Sequence, residues 1–85
     1  MSRKFAVALK KARISLRKTQ KELSEVCGTN PYTIKAWETG RSVPNYYNFD
    51  LIVKGLNDLG LSEIELEELE EIYNDEKLGS MKNVR

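Results

Sequence analysis

Thr19-Gln20-Lys21-Glu22-Leu23-Ser24-Glu25-Val26-Cys27-Gly28-Thr29-Asn30-Pro31-Tyr32-Thr33-Ile34-Lys35-Ala36-Trp37-Glu38-Thr39-Gly40 is punctuated as two short helices and the turn between them. Thr19-x-x-Glu22 is a capping box: the threonine hydroxyl accepts a free backbone N–H of the first turn, and the glutamate reaches back to the threonine N–H. Leu23 and Val26 are predicted to carry the buried face of the first helix. Gly28 supplies the left-handed stop that a glycine adopts without strain. Asn30 is a strong N-cap, and Pro31 suits the first helical position, where its missing N–H is no loss. Ile34 and Trp37, at i and i+3, are predicted to face inward, and Gly40 ends the second helix.

Working outward from this pair, the pattern stays helical. Phe5, Leu9, Ala12 and Leu16 fall at i, i+4, i+7 and i+11, one apolar stripe on a helix of about Lys4 to Leu16. After Gly40 comes a loop, Arg41-Ser42-Val43-Pro44, predicted to continue through Asn45-Tyr46-Tyr47-Asn48. Phe49, Ile52, Val53 and Leu56 then mark a fourth helix ending at Leu59-Gly60, with Gly55 lowering its regularity by about 1 kcal/mol. Ser62-x-x-Glu65 is a second capping box. It opens a fifth helix through about Tyr73, with Leu66, Leu69, Ile72 and Tyr73 as its stripe. Residues 77–85 have little periodicity and are expected to be a flexible tail. No alternating strand pattern and no internal repeat interrupts this. The expected fold is all-α, a compact bundle of four to five helices: residues 1–60 form the principal domain, 61–76 an acidic helix on that domain or at a dimer interface, and 77–85 the tail.

Composition narrows the function classes. Eighty-five residues, 40% of them hydrophobic, suffice for one small core but not for a large enclosed active site. There is no histidine, so the commonest general base and metal ligand are missing. The lone Cys27 can form neither an internal disulfide nor a thiolate metal site by itself, and it suits a reducing, cytoplasmic setting. No apolar run is long enough to span a bilayer. An enzyme has no support, and neither a metal nor a cofactor is expected. The 14 Lys+Arg and 13 Asp+Glu nearly cancel, but they are segregated. Residues 1–21 hold eight basic side chains and no acidic one; residues 61–76 hold eight acidic and no basic one. A basic N-terminal half is what a polyanion binder needs.

Two short helices about a glycine turn are a helix-turn-helix in outline. The particular residues go further. Thr19-Gln20-x-Glu22-Leu23, Gly28, Thr33-Ile34-x-x-Trp37-Glu38-x-Gly40 and the downstream Pro44 resemble the Cro/cI-type (Xre family) DNA-binding domain, over about Leu9 to Gly60. The resemblance implies a lambda-repressor-like DNA-binding fold whose third helix is laid in the major groove of double-stranded DNA. It implies that Pro31, Tyr32 and Ala36 face base edges, with Thr33 and Lys35 flanking them. Gln20 would hydrogen-bond a phosphate and brace the third helix, and Arg41 and Ser42 would follow the DNA backbone. Arg13 and Glu38 occupy positions that form an internal ion pair. Ser24 stands where relatives often carry alanine, so that two helices can approach.

Physical chemistry adds Arg17, Lys18, Lys21 and Arg41 as point charges on phosphates, beside helix N-termini that attract anions, and Thr39 is counted with this phosphate-contacting set. Pro31 lacks a hydrogen-bonding side chain and Ala36 is apolar, so direct readout is expected to rest on Tyr32, Thr33 and Lys35 with a methyl contact from Ala36, which leaves room for indirect readout through DNA shape. The function expected is a sequence-specific transcriptional regulator, a small dimeric repressor reading a palindromic operator. The competing reading is a protein–protein interaction module, antirepressor or antitoxin-like, that docks a partner through the acidic helix.

Overall fold

Five helices follow one another in the computed structural model, which describes residues 4–82, with side chains through residue 78. They are α1 (Lys4–Ser15), α2 (Gln20–Cys27), α3 (Pro31–Glu38), α4 (Tyr46–Asp58) and α5 (Glu63–Lys82). No strand occurs among the described residues, and the fold is all-α. Arg3, counted in the basic block, and residues 83–85 of the expected tail lie outside the described residues.

Each helix gives the core at least one side chain with 0% exposure: Leu9, Leu23, Ile34, Ile52 and Leu56, and Tyr73. Burying such a side chain contributes roughly 1.5–3 kcal/mol. Helices of eight residues are too short to hold themselves in water, so this shared core is what keeps α2 and α3 folded. α3 packs on α2 and α1; α5 packs on α1 and α4.

The caps set the helix ends. Thr19 Oγ1 accepts the Glu22 N–H at 3.0 Å, and Glu22 Oε1 accepts the Thr19 N–H at 2.9 Å. Gly28 closes α2 at φ 71°. Asn30 Oδ1 accepts the Thr33 N–H at 2.9 Å. The α1–α2 corner is less relaxed: Arg17 sits at φ 58°, a left-handed conformation that costs a non-glycine residue about 1–2 kcal/mol.

Four sequence expectations are corrected. Val26 is exposed, and Cys27 is buried in its place; on a helix of eight residues the stripe anchored at Leu23 continues at i+4 rather than i+3. Burial pushes the Cys27 thiol up to about 11, leaving it a small apolar filler. Residues 46–48 are not loop but the first turn of α4, because Asn45 caps it, its Oδ1 accepting the Asn48 N–H at 2.8 Å. Gly55 does not interrupt α4, which is continuous over Tyr46–Asp58; a Cβ there would stand 2.8 Å from Cys27 Sγ and 3.1 Å from Val26 Cγ2, so the missing side chain is what lets α4 touch α2. Finally, α5 does not stop near Tyr73 but runs to Lys82, removing the expected break at residue 77.

Tertiary contacts hold that longer helix. The Tyr73 ring stacks on Phe49 at 3.9 Å, and Phe5 meets both rings edge-on. The buried Tyr73 hydroxyl donates to the Pro44 carbonyl at 2.6 Å. One turn on, Glu76 Oε1 accepts the Phe5 N–H at 3.0 Å, satisfying a free donor at the start of α1. The Lys77 ammonium lies 5.6 Å from the Tyr73 ring and 5.8 Å from that of Tyr46. Leu66, Leu69 and Tyr73 are thereby buried within the single chain, with Ile72 half-buried.

Candidate nucleic-acid interface

α3 has two sharply different faces. Ile34, Trp37 and Glu38 are buried. Tyr32, Lys35 and Thr39, at i, i+3 and i+7, are exposed, while Pro31, Thr33 and Ala36 are half-buried at the edges. Tyr32 is 85% exposed, an unusual place for an aromatic ring with no ring or hydrogen-bond partner among the described residues. α5, with its acids, packs on α1 and α4 and leaves this outer face open.

The inner side of α3 is fastened by polar contacts at its C-terminal end. Arg13 Nε lies 2.7 Å from Glu38 Oε2, and Arg13 Nη2 donates to Glu38 Oε1 at 2.9 Å. The remaining Arg13 nitrogen, Nη1, donates to the Lys18 carbonyl at 2.8 Å. Gln20 Nε2 donates to Glu38 Oε1 at 3.1 Å. One carboxylate thus collects α1 through Arg13 and α2 through Gln20. Hydrogen bonding to Glu38 raises the Arg13 pKa above its ordinary value, burial working against it and the Glu38 charge adding to it. A bidentate guanidinium–carboxylate pair fixes orientation as well as distance, so the clamp sets how the outer face of α3 is aimed.

Around this face the structure gathers the other sequence-derived candidates. Gln20 and Lys21 form the first turn of α2. Arg17 and Lys18 stand at the α1–α2 corner, which the Lys18 carbonyl ties to Arg13. The loop beyond α3 folds back on the helix: the Arg41 and Ser42 N–H groups both point at the Ala36 carbonyl, at 3.0 and 3.4 Å, and both side chains are exposed. Two hydroxyls are already engaged locally. Thr33 Oγ1 donates to Asn30 Oδ1 at 3.2 Å, and Thr39 Oγ1 donates to the Lys35 carbonyl at 2.9 Å. Tyr32 and Lys35 are therefore the side chains on this face with reach to spare. Tyr46 and Tyr47, expected in a loop, begin α4 with both rings exposed; the Asn45 cap was the signal for that placement.

Among the described residues no group of three or more metal-ligating side chains is present, and no helix is long and apolar enough to cross a membrane.

A capped short helix, a left-handed glycine turn and a second short helix with one locked and one open face define a helix-turn-helix. The family model described as a helix-turn-helix domain matches residues 7–72, and the chain belongs to that family. Comparison with curated proteins gives no match, and comparison with solved structures gives none.

Proposed function

We propose that the protein is a sequence-specific double-stranded DNA-binding regulator of the Cro/cI (Xre) type, acting in the cytoplasm as a small dimeric repressor on a palindromic operator. One observation carries this reading: the outer face of α3 is open and bears Tyr32 and Lys35, while its inner face is locked by the Arg13–Glu38–Gln20 clamp. A rigid, exposed helix of this kind fits the major groove. Tyr32 contacts a base edge or a thymine methyl, and Lys35 reaches a guanine edge or a phosphate. Pro31, Thr33 and Ala36 complete the reading surface. Gln20, Lys21, Arg17, Lys18, Thr39, Arg41 and Ser42 contact the backbone and set register without reading sequence.

The strain at Arg17 supports this assignment. A glycine would relieve the left-handed turn, yet the position carries a cation that faces solvent. An observed backbone outlier is a pointer to function when its side chain has no structural task.

The test is selection from a random duplex pool, with the enriched sequence remeasured over a range of salt. A palindrome whose affinity falls steeply with salt is the expected result. Tyr32→Ala is expected to relax base preference, whereas Lys21→Ala or Arg41→Ala weakens all duplexes alike and reduces the salt slope by about 1. Enrichment of nothing, or binding insensitive to salt, would favour the protein-docking reading instead.

A further inference from the structure

The packing of α5 on α1 leaves a groove of about 660 Å³ on the side of the molecule formed by these two helices. Ala8 and Ala12 of α1 and Leu69 and Ile72 of α5 give it an apolar lining. Lys11 on α1 and Glu68 on α5 line it too, both exposed. Val7, also at the groove, is 49% exposed. Among the described residues neither Lys11 nor Glu68 makes an ion pair, although the groove brings one basic and one acidic helix side by side.

We propose that a second copy of this chain docks here, about a two-fold axis running along the groove. The proposal rests on the dimeric reading above and supplies its surface. Phe5 at the start of α1 meets Tyr73 and Glu76 of α5, and the groove continues to Ser15 and Glu65, so the two helices run in opposite directions. Rotation about an axis along the groove lays each α1 over the other copy's α5. Lys11 then faces Glu68 of the partner subunit, and the apolar linings meet. An axis across the groove would set Lys11 against Lys11 of the partner subunit and glutamate against glutamate, which like-charge repulsion disfavours. The charge segregation of the sequence, basic on α1 and acidic on α5, thus selects one self-complementary arrangement. No groove residue belongs to α2 or α3, so docking leaves both copies of α3 free.

The test is analytical ultracentrifugation of the full chain without DNA. Lys11→Glu and Glu68→Lys each create two like-charge contacts per dimer. Each is expected to weaken the dimer by about tenfold or more, with helix content unchanged by circular dichroism because both positions are exposed. An equimolar mixture of the two variants restores opposite charges at both contacts, and dimerisation is expected to return to near the parent value. Only contacts between chains can produce that rescue. A parent chain that stays monomeric at about 100 µM, single variants that dimerise as the parent does, or a mixture no better than its components would each overturn the proposal. Binding of Lys11→Glu to a duplex with one half-site is measured alongside. Lys11 is outside the DNA-facing set, so that binding is expected to survive, and its absence in the parent as well would count against the DNA reading rather than the docking surface.

Discussion

Arg13→Met removes the guanidinium from the clamp that aims α3. The Glu38 side chain is 1% exposed and that of Arg13 11%, so the carboxylate would remain buried with only the Gln20 amide as partner. Breaking a buried pair from one side costs about 3–5 kcal/mol, because the surviving charge is uncompensated. A domain of this size has about 5–15 kcal/mol of stability in total. At roughly 4–8 °C per kcal/mol, even the lower figure lowers the melting temperature by at least about 12 °C. Removing both charges, in Arg13→Met/Glu38→Leu, is expected to recover most of that loss, since an apolar pair of similar bulk leaves no charge to desolvate. The coupling between the two sites is then about 2 kcal/mol or more. Urea unfolding followed by fluorescence suits the measurement, because Trp37 is the only tryptophan and is buried. A loss below about 1 kcal/mol for Arg13→Met, or a double variant no more stable than the single, would show that the clamp does not hold α3.

Other substitutions check separate parts of the account. Tyr73→Phe leaves the buried Pro44 carbonyl without its 2.6 Å donor and is expected to lower stability by about 1–3 kcal/mol in thermal unfolding. Arg17→Gly relieves the left-handed strain and is expected to raise stability by up to about 1 kcal/mol, while weakening binding to every duplex in a fluorescence titration. Gly55→Ala places a methyl 2.8 Å from Cys27 Sγ and is expected to destabilise by about 1–3 kcal/mol, less so in a Cys27→Ala background. The Thr19 N–H, then its hydroxyl, holds the Glu22 carboxyl below its usual range, with a smaller contribution from Lys18. A carboxyl with a lower folded than unfolded pKa stabilises above the unfolded value, and that contribution is lost as pH falls through the folded value. Glu22→Gln is therefore expected to flatten part of the acid-side fall in melting temperature between about pH 5 and 3.

What the sequence made legible was chiefly local. Thr19, Gly28 and Asn30 announce their helix ends because each cap needs a particular side chain, or none, at one position. Asn45 carries the same signal more faintly, since Asn48 rather than a glutamate stands three residues on and no capping box forms. Two turns of helix do not separate i+3 from i+4 periodicity, so spacing alone puts Val26 rather than Cys27 on the inner face. The role of Gly55 depends on Cys27, 28 residues earlier, and no local pattern contains it. The extension of α5 past Tyr73 follows from Glu76 reaching Phe5 and Lys77 reaching two tyrosine rings, contacts that exist only after folding. On α3 the inward placement of Ile34 and Trp37 was readable from spacing, and the outward placement of Tyr32 and Lys35 from the family resemblance. That Thr33 and Thr39 turn their hydroxyls to nearby backbone and cap atoms was not.

The central claim is that the open face of α3 enters duplex DNA, and amide chemical-shift mapping during titration with the selected duplex tests it most directly. The expected result is a cluster of perturbed residues from Tyr32 to Ala36, joined by Gln20, Lys21, Thr39 and Arg41, with the acidic outer surface of α5 unaffected. Perturbations confined to α5, or none at low salt with any duplex, would contradict it.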